Sequence, residues 1–144
     1  MVNRISEHED QLSGIIANTP NIIFIKDADL RYKMVSPNYK KLVGKDIGDV
    51  IGCKDEELFK SDHAQVLTNS DQLVLQNKAP QQIEYCAGKG EDKRNYLSTK
   101  FPLVDDSGEV YAVGGIVTDI TDLKMRNHAA TLPARYLTKL AKRF

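Results

Sequence analysis

The stretch Asn95–Leu123, NYLSTKFPLVDDSGEVYAVGGIVTDITDL, decides how this chain folds. It reads as two β-strands joined by a tight turn. The first strand, about Tyr96–Val104, is rich in aromatic and branched residues. Such side chains fit a pleated, half-buried surface. Asp105-Asp106-Ser107-Gly108 then supplies turn chemistry: Asp and Ser bond their own backbone, and Gly accepts a positive φ. The second strand, about Val110–Thr121, carries Gly114-Gly115 in its middle. Glycine inside a strand marks a bulge or a place where another group comes close to the backbone. The strand runs out through Asp119-Ile120-Thr121-Asp122, whose oxygens suit the free N–H groups of a following helix.

Working outward, Asn21–Lys26 and Arg31–Ser36 read as a strand pair around an Asp27-Ala28-Asp29 turn, and Gln82–Ala87 as a further strand. Glu84 and Lys100 lie on strands expected to be neighbours and could form a cross-strand ion pair, worth ~0–1 kcal/mol if exposed. Asn3–Ala17 reads as a helix, with Ser6 and Glu9 at capping-box spacing and an apolar stripe of Ile5, Leu12 and Ile15/Ile16. Pro37 suits the first position of a short helix capped by Ser36 and stopped at Gly44. Lys45–Cys53 reads as loop and Asp55–Phe59 as a short helix. Ser61–Asn77 reads as a longer helix, capped by Ser61, with Ala64, Val66, Leu67, Leu73, Val74 and Leu75 on a broad buried face. Strands at both ends with helices between them predict an α+β layer, an antiparallel sheet with helices on one face.

The 144 residues suffice for one core. Hydrophobic and charged fractions of 41% and 28% are ordinary for a globular domain. No apolar run approaches the roughly 20 residues that span a bilayer. The opening MVNRISEHED lacks the apolar core of a secretory leader. Cys53 and Cys86 fit a reduced compartment and read as two small packing residues. Charge is uneven: all 20 acidic residues but only 14 of the 20 basic ones precede Lys124, a net of −6. An acidic body argues against nucleic-acid binding by the domain. The segment after Lys124 has no acidic residue, and Tyr136, Leu137, Leu140 and Phe144 recur there at helical spacing between basic residues. It reads as a linker or an expression-derived tail, or else as a basic amphipathic helix. The expected division is a flanking helix over 1–18, a domain over 19–123 and a basic tail over 124–144.

The motifs of several enzyme classes are missing. There is no GK[ST] phosphate loop, no HExxH, no paired CxxC and no Gly-x-Ser-x-Gly elbow. Gly88-x-Gly90 sits in a hairpin loop and reads as a turn. No catalytic or metal-ligating set emerges, and His8 reads as solvated.

Thr99-Lys100-Phe101-Pro102-Leu103, Gly108 and Gly114 to Thr121 together resemble the C-terminal half of a PAS domain. Asp119-Ile120-Thr121 matches that family's DIT exit motif. Ile23–Asp27, Tyr32–Tyr39 and Leu42-Val43-Gly44 resemble its N-terminal half, although Ser36 stands where many members have Asn. The resemblance implies a PAS-like five-stranded antiparallel sheet with helices on one face and an N-terminal flanking helix. It also implies a cavity walled by Phe24, Tyr39, Leu42, Val43, Leu58, Phe59, Val66, Leu67, Val74, Tyr85, Tyr96, Leu97 and Ile116. Hydroxyls of Tyr39, Tyr85, Tyr96, Ser98 and Thr99 are the candidate ligand contacts, and His63 is the candidate axial position for a haem. The likeness is to small-molecule or orphan sensors that need neither haem nor flavin. The implied function is cytoplasmic sensing, relayed through Asp119, Ile120 and Thr121 to the output domain of a histidine kinase or diguanylate cyclase. A homodimer through the first helix is the expected assembly, with no nucleic acid or membrane as partner of the domain. The alternative is an interaction module with a filled interior and no ligand.

Overall fold

The computed structural model describes residues 2–88 and 90–124, with side chains from Glu7 onward. The expectations for the basic tail fall outside them. In chain order the elements are α1 (Val2–Asn18), β1 (Ile22–Asp27), β2 (Tyr32–Val35), a 3-10 turn (Pro37–Tyr39), α2 (Lys40–Val43), α3 (Ile47–Val50), α4 (Asp55–Leu58), α5 (Ser61–Asn77), β3 (Gln81–Ala87), a second 3-10 turn (Gly90–Asp92), β4 (Arg94–Val104) and β5 (Val110–Asp119). Residues 121–124 begin another helix.

The strands form one antiparallel sheet in the order β2-β1-β5-β4-β3, so the first and last strands are central neighbours. The quoted hairpin is its spine. Asp105 Oδ1 accepts from the Ser107 and Glu109 amides at 2.9 and 3.0 Å, and Gly108 takes φ +85°. Register then places Ile22, Phe24, Lys26, Tyr96, Ser98, Lys100, Val113, Gly115 and Val117 on the face that meets the helices. Ile23, Ile25, Leu97, Thr99, Phe101 and Ile116 lie on the other face. The paired glycines answer to two rings. Gly115 faces Phe24 across the sheet, and a Cβ there would fall inside that ring. Gly114 faces Phe101, whose ring lies 2.5 Å from where its Cβ would stand.

Between β1 and β2 the register slips after Ile25, leaving Lys33 as an extra residue on β2. Strict alternation would put Tyr32 and Val35 on opposite faces. The bulge lets both turn inward, and both are buried. The core gathers Ile22, Phe24, Tyr32, Val35, Tyr39, Val50, Tyr96 and Val117. Each large apolar side chain so buried contributes about 1.5–3 kcal/mol of transfer free energy.

Local chemistry departs from expectation at several points. α1 starts at Val2, so Ser6 lies inside the helix and is no cap. Ser36 holds the cap position before Pro37 but forms no side-chain cap bond. Its Oγ accepts instead from the Ile23 amide at 2.8 Å, tying β1 to the turn. α5 is capped by Lys60, with Ser61 already helical. The expected loop over Lys45–Cys53 contains α3, whose Val50 is fully buried. Val66 and Leu73 of α5 are exposed, and its inward positions are Ala64, Leu67, Ser70, Asp71 and Val74. Leu97 and Ile116 were expected as cavity walls, but sheet register puts them on the opposite face. Cys86 is exposed rather than packed, its thiol donating to Asn95 Oδ1 at 2.9 Å. The Glu84–Lys100 pair does not form: Glu84 faces Leu97 and pairs with Lys124 at 2.8 Å, while Lys100 points under α5.

Candidate functional site

Four charged side chains meet between sheet and helices. Lys26 leaves β1 on the same face as Phe24, and Lys100 leaves β4 on the same face as Tyr96 and Ser98. Asp71 comes down from the inner face of α5, one turn from both Leu67 and Val74. Asp55 opens α4. All four are at most 3% exposed, which makes their pairing decisive, because a buried charge is costly unless matched.

The matching is close. Lys26 Nζ donates to Asp55 Oδ2 and Asp71 Oδ2 at 2.5 Å each, and sits 4.7 Å from the centre of the Tyr32 ring. Lys100 Nζ donates to Ser70 Oγ at 2.6 Å and to the Leu67 carbonyl at 3.0 Å. It also stands 2.8 Å from Asp71 Oδ1, a charge contact without the angle of a hydrogen bond. Asp71 thus bridges two ammonium groups, with one oxygen toward each. On the far side of Asp55, its Oδ1 accepts from Tyr32 OH at 2.5 Å, and Tyr32 accepts in turn from Tyr39 OH. Burial pushes the Tyr32 and Tyr39 hydroxyls well above their usual range, so both stay protonated donors. Burial lowers the Lys100 ammonium, and the nearby Asp71 carboxylate works against that shift.

Beside this network lies a cavity of about 10 Å³, room for about one water molecule. Phe24, Lys26, Tyr32, Tyr39, Leu42, Phe59, Leu67, Tyr85, Ser98, Lys100 and Val117 line it. Of the sequence-derived contacts, Tyr39, Tyr85 and Ser98 are therefore brought together here. Tyr96 is buried in the core against Tyr85, with ring centres 5.6 Å apart, and does not line the cavity. Thr99 is on the opposite face, where its hydroxyl accepts from the Gln82 amide at 3.2 Å. His63 stacks on Phe59 at 4.9 Å and meets Tyr85 edge-on at 4.8 Å. Its Nε2 is buried without a hydrogen-bond partner, and desolvation holds its pKa below the ordinary value.

Sequence reasoning missed Lys26, Tyr32, Asp55, Asp71 and Lys100. Their trace was present in Phe24-x-Lys26 and Tyr96-x-Ser98-x-Lys100, which put each lysine on its strand's apolar face, and in Asp71 at helical spacing from Leu67 and Val74. Among the described residues no group of three or more His, Cys, Asp or Glu side chains is placed to hold a metal. No helix among them is long and apolar enough to cross a membrane.

The exit is a second built feature. Asp119 Oδ1 accepts from the Thr121 amide at 2.9 Å and from its hydroxyl at 2.6 Å. Asp119 Oδ2 pairs with Arg94 Nε at 2.8 Å. Thr121 Oγ1 accepts from the Asn95 amide, and the Ile120 amide donates to the Asn95 carbonyl, both at 2.8 Å. The helix at 121–124 therefore starts locked to the first residues of β4. Asp119 is held below its usual carboxylate range: burial raises it, but the Thr121 and Arg94 bonds outweigh that.

Comparison with known proteins agrees with this architecture. The chain is 27% identical over 121 residues to the methanogenesis regulatory histidine kinase FilI of Methanothrix harundinacea. It is 25% identical over 130 residues to probable histidine kinase 1 of Oryza sativa subsp. indica. These matches cover 84% and 89% of this chain but only 14% and 13% of those kinases. Among solved structures, the phage VqmA–DPO complex superposes with a TM-score of 0.69 at 26% identity, over 88% of this chain and 61% of that one. The PAS domain of Bordetella pertussis BvgS superposes with a TM-score of 0.64 at 18% identity, over 92% of this chain and all of that one. Residues 16–125 match the family described as the PAS fold, and the chain belongs to that family.

Proposed function

We propose that this chain is the sensory domain of a histidine-kinase-type signalling protein of the cytoplasm, and that it binds a small molecule between α5 and the sheet. The buried Lys26–Asp55–Asp71–Lys100 network carries the reading. Apolar residues of the same volume would hold sheet and helices together at least as well, since buried ion pairs repay their desolvation poorly. A polar cluster at the helix–sheet junction instead suits recognition, where a few fixed polar groups orient a ligand within apolar walls. The relatives named above are histidine kinases, and the phage VqmA has been solved in complex with DPO. Binding shifts the balance between two arrangements of α5 on the sheet. β5 lies between the strands bearing the two lysines and ends at Asp119, so a change there reaches the helix that begins at Thr121. Neither haem nor flavin is needed. Native mass spectrometry of the purified domain tests this reading. A retained small molecule, released on denaturation, is the expected result, and a bare mass under all conditions counts against it.

One observation favours a second reading. The cavity is only about 10 Å³, while Leu12 and Ile15 of α1 stand 59% and 61% exposed. A ligand-free domain that dimerises through α1 would look the same. The two readings share the dimer, and sedimentation of the double variant Leu12→Ser, Ile15→Ser should show a shift to monomer.

A further inference from the structure

The arrangement around Asp71 says what class of molecule the interior accepts, a deepening that rests on the sensory reading above. Two lysines reach inward from strands that flank β5, and both are directed at one carboxylate. Paired ammonium groups about a shared point form a carboxylate receptor, because each carboxylate oxygen can take one charge-assisted hydrogen bond. In this structure the chain fills that receptor with its own Asp71. On one side the pairing is an ion pair held from the helix: Asp71 Oδ1 lies 2.8 Å from Lys100 Nζ. A carboxylate free of the helix backbone can satisfy both ammonium groups at once. Of the two lysines Asp55 holds only Lys26, and the protons of Lys100 otherwise go to Leu67 O and Ser70 Oγ, both on α5. Every hydrogen bond and ion pair of the Lys100 ammonium is therefore made to α5.

We propose that Lys26 and Lys100 form a binding site for a small carboxylate, which Asp71 occupies as an internal stand-in, and that the ligand binds by displacing it. Replacement accounts for the small cavity, since the incoming group takes the volume that the Asp71 carboxyl vacates. It also gives the ligand a mechanical effect. Asp71 cannot stay buried without a cation, so its displacement turns the inner face of α5 toward water. The outer face of that helix, including Val66 and Leu73, is already exposed, so nothing among the described residues is packed over it to oppose the movement.

Chemical rescue tests the site. Asp71→Ala removes the stand-in, and formate supplies the missing group. Thermal unfolding of the variant should shift upward and saturably with formate, at a half-saturating concentration at least about tenfold below that of the wild-type domain. Formamide, or chloride at equal ionic strength, should give no such shift. Adding Lys100→Met should abolish the response. In the wild-type domain, formate well above that concentration should speed hydrogen exchange over residues 61–77 and leave β1 and β5 unchanged. If Asp71→Ala folds only in formate, the proposal is supported. If it folds in neither salt, the isosteric Asp71→Asn takes its place, with the same tenfold criterion. Equal responses to formate and chloride, or a wild-type α5 indifferent to formate, overturn the proposal. Such a failure leaves the sensory reading standing if native mass spectrometry finds a ligand of another class.

Discussion

A methyl group at Gly115 would collide with the Phe24 ring, which is 4% exposed and hemmed in by the Tyr32 ring at 5.9 Å. Gly115→Ala should therefore destabilise the domain by about 1–3 kcal/mol, as overpacked cores do, read as a lower urea midpoint at unchanged slope. Gly114→Ala should cost less, because the Phe101 ring is half-buried on the opposite face and can swing aside. His63 makes a pH prediction. Desolvation lowers its folded pKa below the ordinary 6.5, so the unfolded chain takes up a proton first as pH falls. Stability should drop as pH falls through 6.5 and level off below the folded value. His63→Phe keeps the stack on Phe59 and should flatten that part of the stability–pH curve. Residue by residue, the glycine pair was legible because a β-strand rarely tolerates two without a close neighbour. The lysines were not legible, because alternation rules assign a charged side chain to the solvent face. What overrides that assignment is a pair of aspartates arriving from helices 29 and 45 residues away from Lys26.

Among the elements, the junction of β5 with the following helix is held by side-chain and backbone bonds together. Asp119 and Thr121 together make four side-chain bonds, two of them to the first residues of β4. Replacing both with Ala should loosen the helix at 121–124 by about 1–2 kcal/mol, the usual worth of a helix cap. Faster hydrogen exchange at the Asn95 and Thr121 amides should report it, and in a parent protein the output should no longer follow the input. The sign with pH follows from the lowered Asp119 value. Its stabilisation is present above about pH 3.8, the unfolded value, and is lost as pH falls through the folded one. This exit was legible because a strand that ends in Asp-x-Thr-Asp brings its own cap. α3 was not, since four residues in a glycine-bearing loop carry too little periodicity to be seen. Only Val50 anchors it, and that burial is decided by β2 and the Tyr32 backbone, which bonds Gly52 and Cys53 at 2.8 and 3.0 Å. Ser36 was misread for a related reason. A cap position does not oblige the hydroxyl to cap when a neighbouring strand offers an unpaired amide.

For the molecule as a whole, the charged network is the only fastening of α4 to the sheet that is both polar and buried among the described bonds. Lys26→Met removes the cation common to Asp55 and Asp71 and should cost about 3–5 kcal/mol in chemical denaturation, the penalty of stranding a buried charge. Lys26→Met combined with Asp55→Asn should recover part of that loss, since one of the stranded charges is then gone. The layered architecture was legible from the order of elements alone: strands at both ends of a chain with helices between them have few ways to form one sheet. The arrangement of strands has a further consequence for how the domain bears load. β1 begins and β5 ends at the same end of the sheet, side by side, with Ile22 opposite Val117. Tension applied through α1 and the helix at 121–124 would therefore peel these two strands apart like a zipper, one backbone bond after another, instead of shearing the whole ladder at once. The domain yields first where its two flanking helices join it, and a twist or pull from either neighbour is felt there before it reaches the far end of the sheet.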